Sequence, residues 1–379
     1  MRIGILSLPL HYNFGGILQT YALQTILERM GHEVVVIQKE YKKQLPVWKM
    51  PYCYPKRFFK KYFLKQKVRV FEEQHANRRN RVISTNTKSF CDKYLHTFSC
   101  KCLREIMSLD LDAIVVGSDQ IWRPKYCEAY YPSIATAFLD FIPNLSITRL
   151  AYAVSFGVDN CEYTQEQIDV CKPLAMKFDA ISVREKGGVK LCEDLFCIKA
   201  VQVLDPTMLL DEKDYLSLIN DNSSDNAFDF VLTYLLDCHE SSEEVLKYFS
   251  HMPIKSVTAD TDNDSLPIEQ RIQYPVELWL SGFKHAKVIV TDSFHACVFS
   301  LIFNKPFIVI LNEERGVDRF ESLLSLFHQK HRIVKSFKDF EERKEEILKT
   351  PDIYTSIAEE RQYSEAYLKQ YLSDSKITR

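Results

Sequence analysis

The chain has 379 residues, of which 46% are hydrophobic and 26% charged, and its formal net charge is -2 at pH 7. This length predicts two domains, and the composition excludes a largely disordered chain. The small net charge excludes a uniformly basic nucleic-acid-binding protein. No apolar stretch approaches the roughly 20 residues of a membrane span, and the first ten residues lack the length and cleavage site of a signal peptide. We therefore expect a cytoplasmic protein.

The beginning of the chain alternates between strand-like and helix-like patterns. Residues 3–8 are a short apolar run, residues 17–30 carry apolar side chains at helical spacing, and residues 33–37 are rich in β-branched side chains. A helix between two such strands is a βαβ unit, which predicts a parallel sheet. Further strand-like runs follow at 113–116, 150–155, 180–183 and 201–204, and a helix-like stretch at 165–178.

Residues 42–81 differ in composition from the rest of this first half. The segment holds 13 Lys and Arg residues and eight aromatic residues, against only Glu72 and Glu73. One interpretation is a basic amphipathic element that docks on anionic lipid head groups or polyanionic carriers. The other is a solvated helix that buries its aromatic side chains against its own domain, and the pattern supports both equally. Nucleic-acid binding through this segment is the least favoured interpretation.

A polar stretch at residues 211–227 precedes a second series of strand-like runs. These runs are 228–236, 254–257, 287–291, 306–311 and 332–334. The simplest assembly is α/β, with two Rossmann-like parallel-sheet domains that face each other across a cleft. We predict an N-terminal α/β domain over 1–215, a C-terminal α/β domain over 226–350, and a helical tail over 351–379. By analogy with other two-domain folds, the tail is expected to cross back to the first domain.

The loop after the first predicted strand is a candidate anion site. It contains Asn13, Gly15 and Gly16, and Gln19 follows in the first turns of the helix. Free backbone N–H groups and the positive end of the helix dipole suit a phosphate or a carboxylate. Glycines of this kind also serve ordinary tight turns. The pattern GxGxxG is absent, which excludes a dinucleotide-binding fingerprint.

Polar residues also follow three later strands, and the carboxyl ends of parallel strands line the ligand crevice of an open α/β sheet. Ser118, Asp119 and Gln120 follow the strand at 113–116, and Ser155 ends the next. A helix-capping role explains them equally well. Arg184 ends another strand, where an arginine can hold a carboxylate or phosphate through two parallel hydrogen bonds, or form an ordinary surface ion pair.

The strongest local feature is the end of the strand at 287–291. The chain continues through Ser293 to His295, which stands at the start of an apolar helix and should face the cleft. A histidine there can give or take a proton near neutral pH. Ser293 is too close to His295 in sequence to assume a nucleophile and its base.

Three basic residues and the cysteines complete the candidates. Lys305, Arg315 and Arg319 lie near the last strand and helix of the second series, where they could hold a phosphate or be solvated. Asp205 closes a strand and is expected to cap or shape the domain edge. Among eleven cysteines, Cys100 and Cys102 are too closely spaced for a zinc knuckle, so we expect reduced thiols, no metal and no cofactor.

In this order, the motifs resemble those of the polysaccharide pyruvyltransferase family. The matching stretches run from residue 13 to residue 324: NFGGILQTYALQ, IVVGSDQIW, YAVSFG, ISVRE, VLDPT, ELWLSGFKHAKVIVTDSFHACVFSLIFNKPF and RGVDRFESLL. The resemblance implies a two-domain fold of the glycosyltransferase-B kind, phosphoenolpyruvate as the donor and a sugar diol as the acceptor. It places the family's functional arginine and histidine at Arg184 and His295. Residues 42–81 lie outside the matching motifs.

The implied reaction moves the enolpyruvyl group onto a sugar of a cell-surface polysaccharide or its lipid-linked precursor, as a cyclic pyruvate ketal. On this resemblance His295 is the expected acid, and Arg184 holds the carboxylate or phosphate of the donor. Asp119 is expected to orient or deprotonate an acceptor hydroxyl. The first domain is expected on the acceptor side of the cleft and the second on the donor side.

Two other functions remain open on the same fold. A nucleotide-sugar-dependent glycosyltransferase would need a base pocket, which no sequence feature identifies. A catalytically silent glycan-binding protein would not need both Arg184 and His295. The expected partners are phosphoenolpyruvate and a glycan acceptor, free or polyprenyl-linked. Peripheral contact with the inner face of the membrane is also expected, and binding to nucleic acid is not.

Overall fold

The computed structural model describes residues 1–40, 42–143, 146–219, 229–237, 240–311 and 317–373. Within these residues two all-parallel sheets form, one of seven strands and one of five, with helices packed around them. The two predicted α/β domains are therefore confirmed. In the predicted domain junction at 211–227, residues 212–216 form a short helix, and residues 220–227 lie outside the described residues.

The first sheet has the strand order β3-β2-β1-β4-β5-β6-β7, with all neighbours parallel. Its strands are β1 (Arg2–Leu6), β2 (Glu33–Lys39), β3 (Thr97–Cys100), β4 (Ala113–Val116), β5 (Thr148–Val154), β6 (Ala180–Val183) and β7 (Val201–Gln202). The helices along this part of the chain are α1 (Phe14–Arg29), α2 (Met50–Tyr62), α3 (Glu72–Ile83), α4 (Thr85–Tyr94), α5 (Pro124–Cys127), α6 (Gln165–Ala175), α7 (Lys186–Phe196) and α8 (Glu212–Leu216).

The second sheet has the order β12-β11-β10-β8-β9, again with all neighbours parallel. Its strands are β8 (Val231–Tyr234), β9 (Ile254–Ser256), β10 (Val288–Thr291), β11 (Phe307–Ile310) and β12 (Ile333–Val334). The remaining helices are α9 (Glu240–Tyr248), α10 (Val276–His285), α11 (Phe294–Ile302), α12 (Val317–Leu326), α13 (Phe337–Ile347) and α14 (Tyr354–Tyr371). No helix in the described part of the chain is long and apolar enough to cross a membrane.

The predicted βαβ unit at the start of the chain is confirmed. The Asn13 side-chain oxygen accepts a hydrogen bond from the Gly15 N–H at 3.1 Å and caps α1. The helix ends at Arg29, and Gly31 then turns the chain with φ +88° into β2. This arrangement places the N-terminus of α1 at the carboxyl end of β1, where the interdomain cleft lies.

The sequence patterns missed β3 at the edge of the first sheet. Of its four residues only Cys100 is buried, so the strand has none of the apolar periodicity that reveals a buried strand. It is held by pairing with the far more apolar β2. The strand therefore depends on a partner distant in sequence.

The domains share a hydrophobic core at their interface. Phe14 of α1 stacks on Trp279 of α10 with ring centroids 5.1 Å apart. Tyr215 of α8 contacts Phe299 of α11 edge-on at 4.9 Å. These fully or almost fully buried rings hold the carboxyl ends of the two sheets against each other.

The terminal helix α14 crosses back to the first domain. The Ser364 hydroxyl accepts a hydrogen bond from the Leu204 N–H at 3.0 Å. Arg361 donates to the main-chain oxygens of Met208 and Leu210. The helix thus supports the chain just before and after Asp205, which lies in the site described next.

Candidate functional site

The loops after β1, β4, β6 and β10 converge where the two domains meet. His295, in the first turn of α11, lies against the N-terminus of α1 in the other domain. A Cβ atom built on Gly15 would lie only 2.0 Å from His295 Nδ1, so the imidazole ring occupies the space that this glycine leaves open. The expectation that His295 faces the cleft agrees with this position.

The carboxylate of Asp205 is at the centre of the site and is completely buried. Its Oδ2 atom lies 2.9 Å from Arg184 Nη1 and 3.7 Å from His295 Nε2. The same oxygen accepts a hydrogen bond from Gln19 Nε2. Oδ1 accepts from the Thr207 N–H at 3.0 Å and from its hydroxyl at 2.6 Å. Asp205 therefore joins residues of both domains.

Sequence reasoning expected Asp205 to cap or shape the domain edge, and its side chain does cap the short helical turn Pro206–Leu209. The structure makes it the partner of both Arg184 and His295. The signal that points to it is its position at a strand end beside β6, since adjacent parallel strands end side by side. The local sequence, however, does not predict which strands are adjacent.

The charges of Asp205 and Arg184 stabilise each other. Burial opposes ionisation of Asp205, but the neighbouring His295 imidazole and the charge of Arg184 hold its pKa well below the usual range. Burial likewise opposes the charge of Arg184, but Glu185 and Asp205 raise its pKa. Both groups are therefore ionised at neutral pH, and the pair is a permanent electrostatic feature of the site.

Arg184 retains one hydrogen-bond donor group for a ligand. Its Nε atom lies 3.1 Å from Glu185 Oε1, which also accepts a hydrogen bond from the Ser155 hydroxyl at 2.6 Å. The Nη2 atom of Arg184 is buried and has no hydrogen-bond partner within the described residues. A buried, charged N–H group without a partner is costly, so this atom favours a ligand that carries an acceptor.

A second arginine lies beside the first. The guanidinium carbons of Arg184 and Arg319 lie 4.3 and 5.9 Å from the centroid of the Phe294 ring. Burial and the charge of Arg184 lower the pKa of Arg319 to about 10. With Asp205 and Leu323 these three side chains line a narrow pocket. Two cations held this close favour the binding of an anion.

Two helix N-termini add to this positive potential. Helix α1 begins at Phe14, and α11 begins at Phe294 after Ser293, whose side chain does not cap it. The end of a helix dipole and its free N–H groups attract anions. Because His295 contacts Gly15, these two helix ends lie next to each other.

Asp119 adopts a left-handed backbone conformation with φ +65°. Its main-chain oxygen accepts a hydrogen bond from the Ser155 N–H at 3.0 Å, which holds the turn. Its Oδ2 atom lies 3.4 Å from Asn13 Nδ2 and 3.4 Å from where a Cβ on Gly16 would stand. The structure thus brings Asp119 to the α1 N-terminus, and its strained backbone is of a kind common at functional sites.

Ser118 and Gln120 have structural partners. The Ser118 hydroxyl accepts from Gln19 Nε2 at 2.7 Å and donates to the Ala153 main-chain oxygen at 3.1 Å. Gln120 Oε1 accepts from Arg123 Nη1 at 2.9 Å. Gln19 therefore connects Ser118 to Asp205, while Gln120 points to a neighbouring ion pair rather than to the central carboxylate.

The structure separates Lys305 from the other predicted site residues. Lys305 precedes β11, whose amino end lies beside the start of β10. It is therefore at the edge of the second sheet opposite to the edge that carries Ser293 and His295. Burial lowers its pKa, and Glu212 is its charged neighbour. Lys305 is close to His295 in sequence, but the length of a strand separates the two edges of the sheet on which they lie. Arg315 lies outside the described residues.

The chemistry available here is anion binding beside a proton donor or acceptor. Arg184 and Arg319 supply positive charge, His295 supplies an imidazole, and the Asp205 carboxylate lies between Arg184 and His295. Among the described residues, no group of three or more His, Cys, Asp or Glu side chains is arranged to hold a metal ion.

The fold defines a two-domain α/β protein of the glycosyltransferase-B kind, in which Arg184, Arg319 and His295 gather where the domains meet. The family model described as polysaccharide pyruvyl transferase matches residues 13–314, which is most of the chain. The protein therefore belongs to the polysaccharide pyruvyl transferase family and is a transferase.

Solved structures share the arrangement of the two domains at low sequence identity. MnaA from S. aureus, in a co-structure with UDP, is 14% identical with a TM-score of 0.51, covering 98% of this chain and 97% of that chain. UDP-N-acetylglucosamine 2-epimerase from Rickettsia bellii is 12% identical with a TM-score of 0.50, covering 99% and 96%. The UDP-GlcNAc 2-epimerase of Methanocaldococcus jannaschii is also 12% identical with a TM-score of 0.50, covering 98% and 99%. These likenesses concern the fold alone, and no curated protein matches the sequence.

Proposed function

We propose that the protein transfers the enolpyruvyl group of phosphoenolpyruvate to a sugar diol of a cell-surface polysaccharide or its precursor, as a cyclic pyruvate ketal. The observation that carries the proposal is the buried Arg184 Nη2 atom, which lacks a partner within the described residues and belongs to the same Asp205-centred cluster as His295. A trianionic donor that must be protonated requires this pairing of an anion ligand with an acid.

The reaction balances without a cofactor or a covalent enzyme intermediate. Protonation of the methylene carbon makes C2 of the donor electrophilic, and the first sugar hydroxyl adds to it. The second hydroxyl forms the other C2–O bond as the C2–O bond to phosphate breaks. One of the two hydroxyl protons reprotonates the acid that gave its proton to the methylene carbon, and the other leaves with phosphate.

His295 is assigned the proton transfer to the methylene carbon. Its imidazole is positioned by Gly15 on one side and by the Asp205 carboxylate 3.7 Å away on the other. Asp205 is buried and ionised, so it balances the positive charge of the protonated ring without itself taking the proton that His295 gives to phosphoenolpyruvate. The histidine is thereby oriented by the same carboxylate that orients the anion ligand Arg184.

We assign Arg184 and Arg319 to bind the carboxylate and the phosphate of the donor. Both guanidinium groups are buried against Phe294, where electrostatic attraction is weakly screened by solvent. Asp119, beside Asn13 at the N-terminus of α1, is assigned to orient or deprotonate an acceptor hydroxyl. The acceptor then lies on the first-domain side of the cleft, free or polyprenyl-linked, and the reaction takes place in the cytoplasm.

The direct test is mass spectrometry of the purified protein with phosphoenolpyruvate and acceptors that contain galactose, glucose or N-acetylmannosamine. We expect a pyruvyl mass gain on one acceptor together with release of inorganic phosphate. His295→Gln should retain the rise in Tm caused by phosphoenolpyruvate and lose turnover, whereas Arg184→Gln should lose both.

The matched control for His295 is His285→Gln, because His285 lies at the end of α10, where its Nδ1 atom is within hydrogen-bond distance of Ser281 in the same helix. It should leave turnover unchanged. If phosphoenolpyruvate does not stabilise the protein and a nucleotide sugar does, a nucleotide-sugar glycosyltransferase replaces this proposal. If the wild type gains stability from phosphoenolpyruvate and Arg184→Gln gains as much, the assignment of Arg184 is wrong.

A further inference from the structure

Helix α2 lies on the outside of the first domain, and none of its residues is buried. Its aromatic residues and those beside it are largely exposed, including Trp48 at 71%, Tyr52 at 77% and Phe63 at 68%. Of the two interpretations of this segment, the packing of its aromatic side chains into the domain is therefore wrong. A soluble protein seldom exposes so many large apolar side chains together unless the surface binds something.

The side chains of α2 form an aromatic stripe and a basic stripe. Phe59 and Phe63 stack at 4.9 Å, and Phe58 contacts Tyr62 at 4.5 Å, so residues four apart form a continuous aromatic surface. The same spacing places a row of basic residues beside it, namely Lys56, Arg57, Lys60 and Lys61. Residues 42–71 contain ten Lys and Arg residues and no Asp or Glu. The helix is thus amphipathic and strongly cationic.

The rest of the protein holds α2 in place without covering it. Arg57 forms an ion pair with Glu73 of α3 at 2.9 Å, and Tyr54 contacts Phe71 edge-on at 5.2 Å. Helix α3 in turn meets the second domain, where the Gln273 N–H donates to the Ile83 main-chain oxygen at 2.9 Å. The segment leaves the first sheet at the carboxyl end of β2, the same edge that carries the candidate site. Its aromatic stripe is presented to the outside in a defined orientation.

We propose that α2 and the residues beside it bind the surface of a membrane that contains anionic lipids. Aromatic side chains with a basic stripe are typical of helices that lie in the interface, and each lysine near an anionic surface adds attraction. The aromatic rings stack on one another instead of standing apart as platforms for nucleic-acid bases, which favours a lipid surface over RNA or DNA. This contact is independent of the reaction proposed above, and it would hold the cleft close to a membrane-bound acceptor.

The tryptophans provide a direct probe of this contact. The chain has three, and Trp122 and Trp279 are fully buried, so a change in tryptophan emission on membrane binding reports Trp48. The full-length protein should float with phosphatidylcholine vesicles that contain about 30% phosphatidylglycerol and show a blue shift of emission, and it should bind pure phosphatidylcholine vesicles weakly. Raising the salt concentration should release it, since surface electrostatics are screened.

Two variants test the basic stripe and the aromatic stripe separately. Lys56→Gln/Lys60→Gln/Lys61→Gln should reduce partitioning onto the anionic vesicles by about tenfold or more. Phe59→Ser/Phe63→Ser should reduce it to a similar extent and diminish the blue shift, because the rings no longer enter the interface. Both variants alter exposed or half-buried side chains, so their Tm values should remain close to the wild-type value.

Matched controls change the same chemistry elsewhere on the surface. Lys177→Gln/Lys190→Gln/Lys199→Gln removes three exposed lysines from the first domain, and Tyr354→Ser/Tyr363→Ser removes two exposed aromatics from α14. Both controls should float like the wild type. The proposal is overturned if the wild type fails to float with anionic vesicles, if it binds neutral vesicles equally well, or if the control variants lose as much binding as the α2 variants. Strong binding of RNA without binding of vesicles would also overturn it.

Discussion

The imidazole of His295 fills the space above Gly15, a residue of the other domain, and leaves no room there for a methyl group. A Cβ on Gly15 would lie 2.0 Å from Nδ1 and 2.4 Å from Cε1. The position of the proposed acid therefore depends on the absence of a side chain on the opposite domain. The contact also requires the two domains to be docked as they are in this structure.

We predict that Gly15→Ala displaces the His295 ring and reduces kcat/KM about 100-fold, since a shift of about 1 Å in a catalytic group has effects of this size. Alanine favours the helix more than glycine does, so Tm should fall little. The matched control is Gly117→Ala, whose Cβ would meet the Ile5 side chain at an ordinary 3.4 Å. Equal activity of the wild type and Gly15→Ala would show that the observed position of His295 is not the one used in the reaction.

Replacing Asp205 by asparagine should weaken both activity and stability. The change leaves Arg184 and His295 without the shared negative charge, so we expect kcat to fall at least tenfold, with a loss of stability of about 3 kcal/mol. Chemical denaturation gives the free energy of unfolding for both proteins. A variant with unchanged kcat would exclude a positioning role for this carboxylate.

The lowered pKa of Asp205 determines how the difference in stability between the wild type and Asp205→Asn depends on pH. A carboxylate with a depressed folded-state pKa stabilises the native state above its unfolded-state pKa of about 4, and loses this contribution as the pH falls towards the folded-state value. The difference between wild type and Asp205→Asn should be constant from about pH 5 to 8 and shrink below about pH 4. A difference that grows on acidification would contradict the assignment.

Arg319→Lys should make donor binding sensitive to pH. Burial and Arg184 lower the pKa of Arg319 to about 10, and the same surroundings would lower the pKa of a lysine below its ordinary value near 10.4. The cation is present below the pKa, so KM for phosphoenolpyruvate should begin to rise at a lower pH in the variant than in the wild type. Arg332→Lys is the control, because Arg332 also has a pKa of about 10 but is buried against the main chain at Ile347.

Ser155 and Ser293, both predicted to bind substrate, should behave differently when replaced by alanine. The Ser155 hydroxyl donates to Glu185 and accepts from the Gly157 N–H at 3.0 Å, so Ser155→Ala should cost about 1–3 kcal/mol of stability. Ser293 precedes α11 without capping it, so Ser293→Ala should leave Tm unchanged and affect only KM. Measuring Tm and KM for both variants would decide which serine contacts the ligand; a destabilised Ser293→Ala would reverse the assignment.

The local sequence was sufficient to predict the βαβ architecture, the two parallel sheets and the residues at the strand ends. These features follow from periodicity and from capping groups within a few residues, as with Asn13 before α1. For the same reason His295 was correctly expected at the start of a helix.

Tertiary structure alone decided which of these residues meet. Asp205 contacts Arg184 because β6 and β7 are neighbours, and it lies near His295 because the two domains dock. Lys305 is excluded from the site because the strand that follows it begins at the opposite edge of the sheet. It also decided that α2 exposes its aromatic side chains, a question on which the sequence pattern was evenly divided. Periodicity reports which side of an element is apolar, but strand order and domain docking arise from contacts between residues far apart in the chain, and these contacts leave no local pattern.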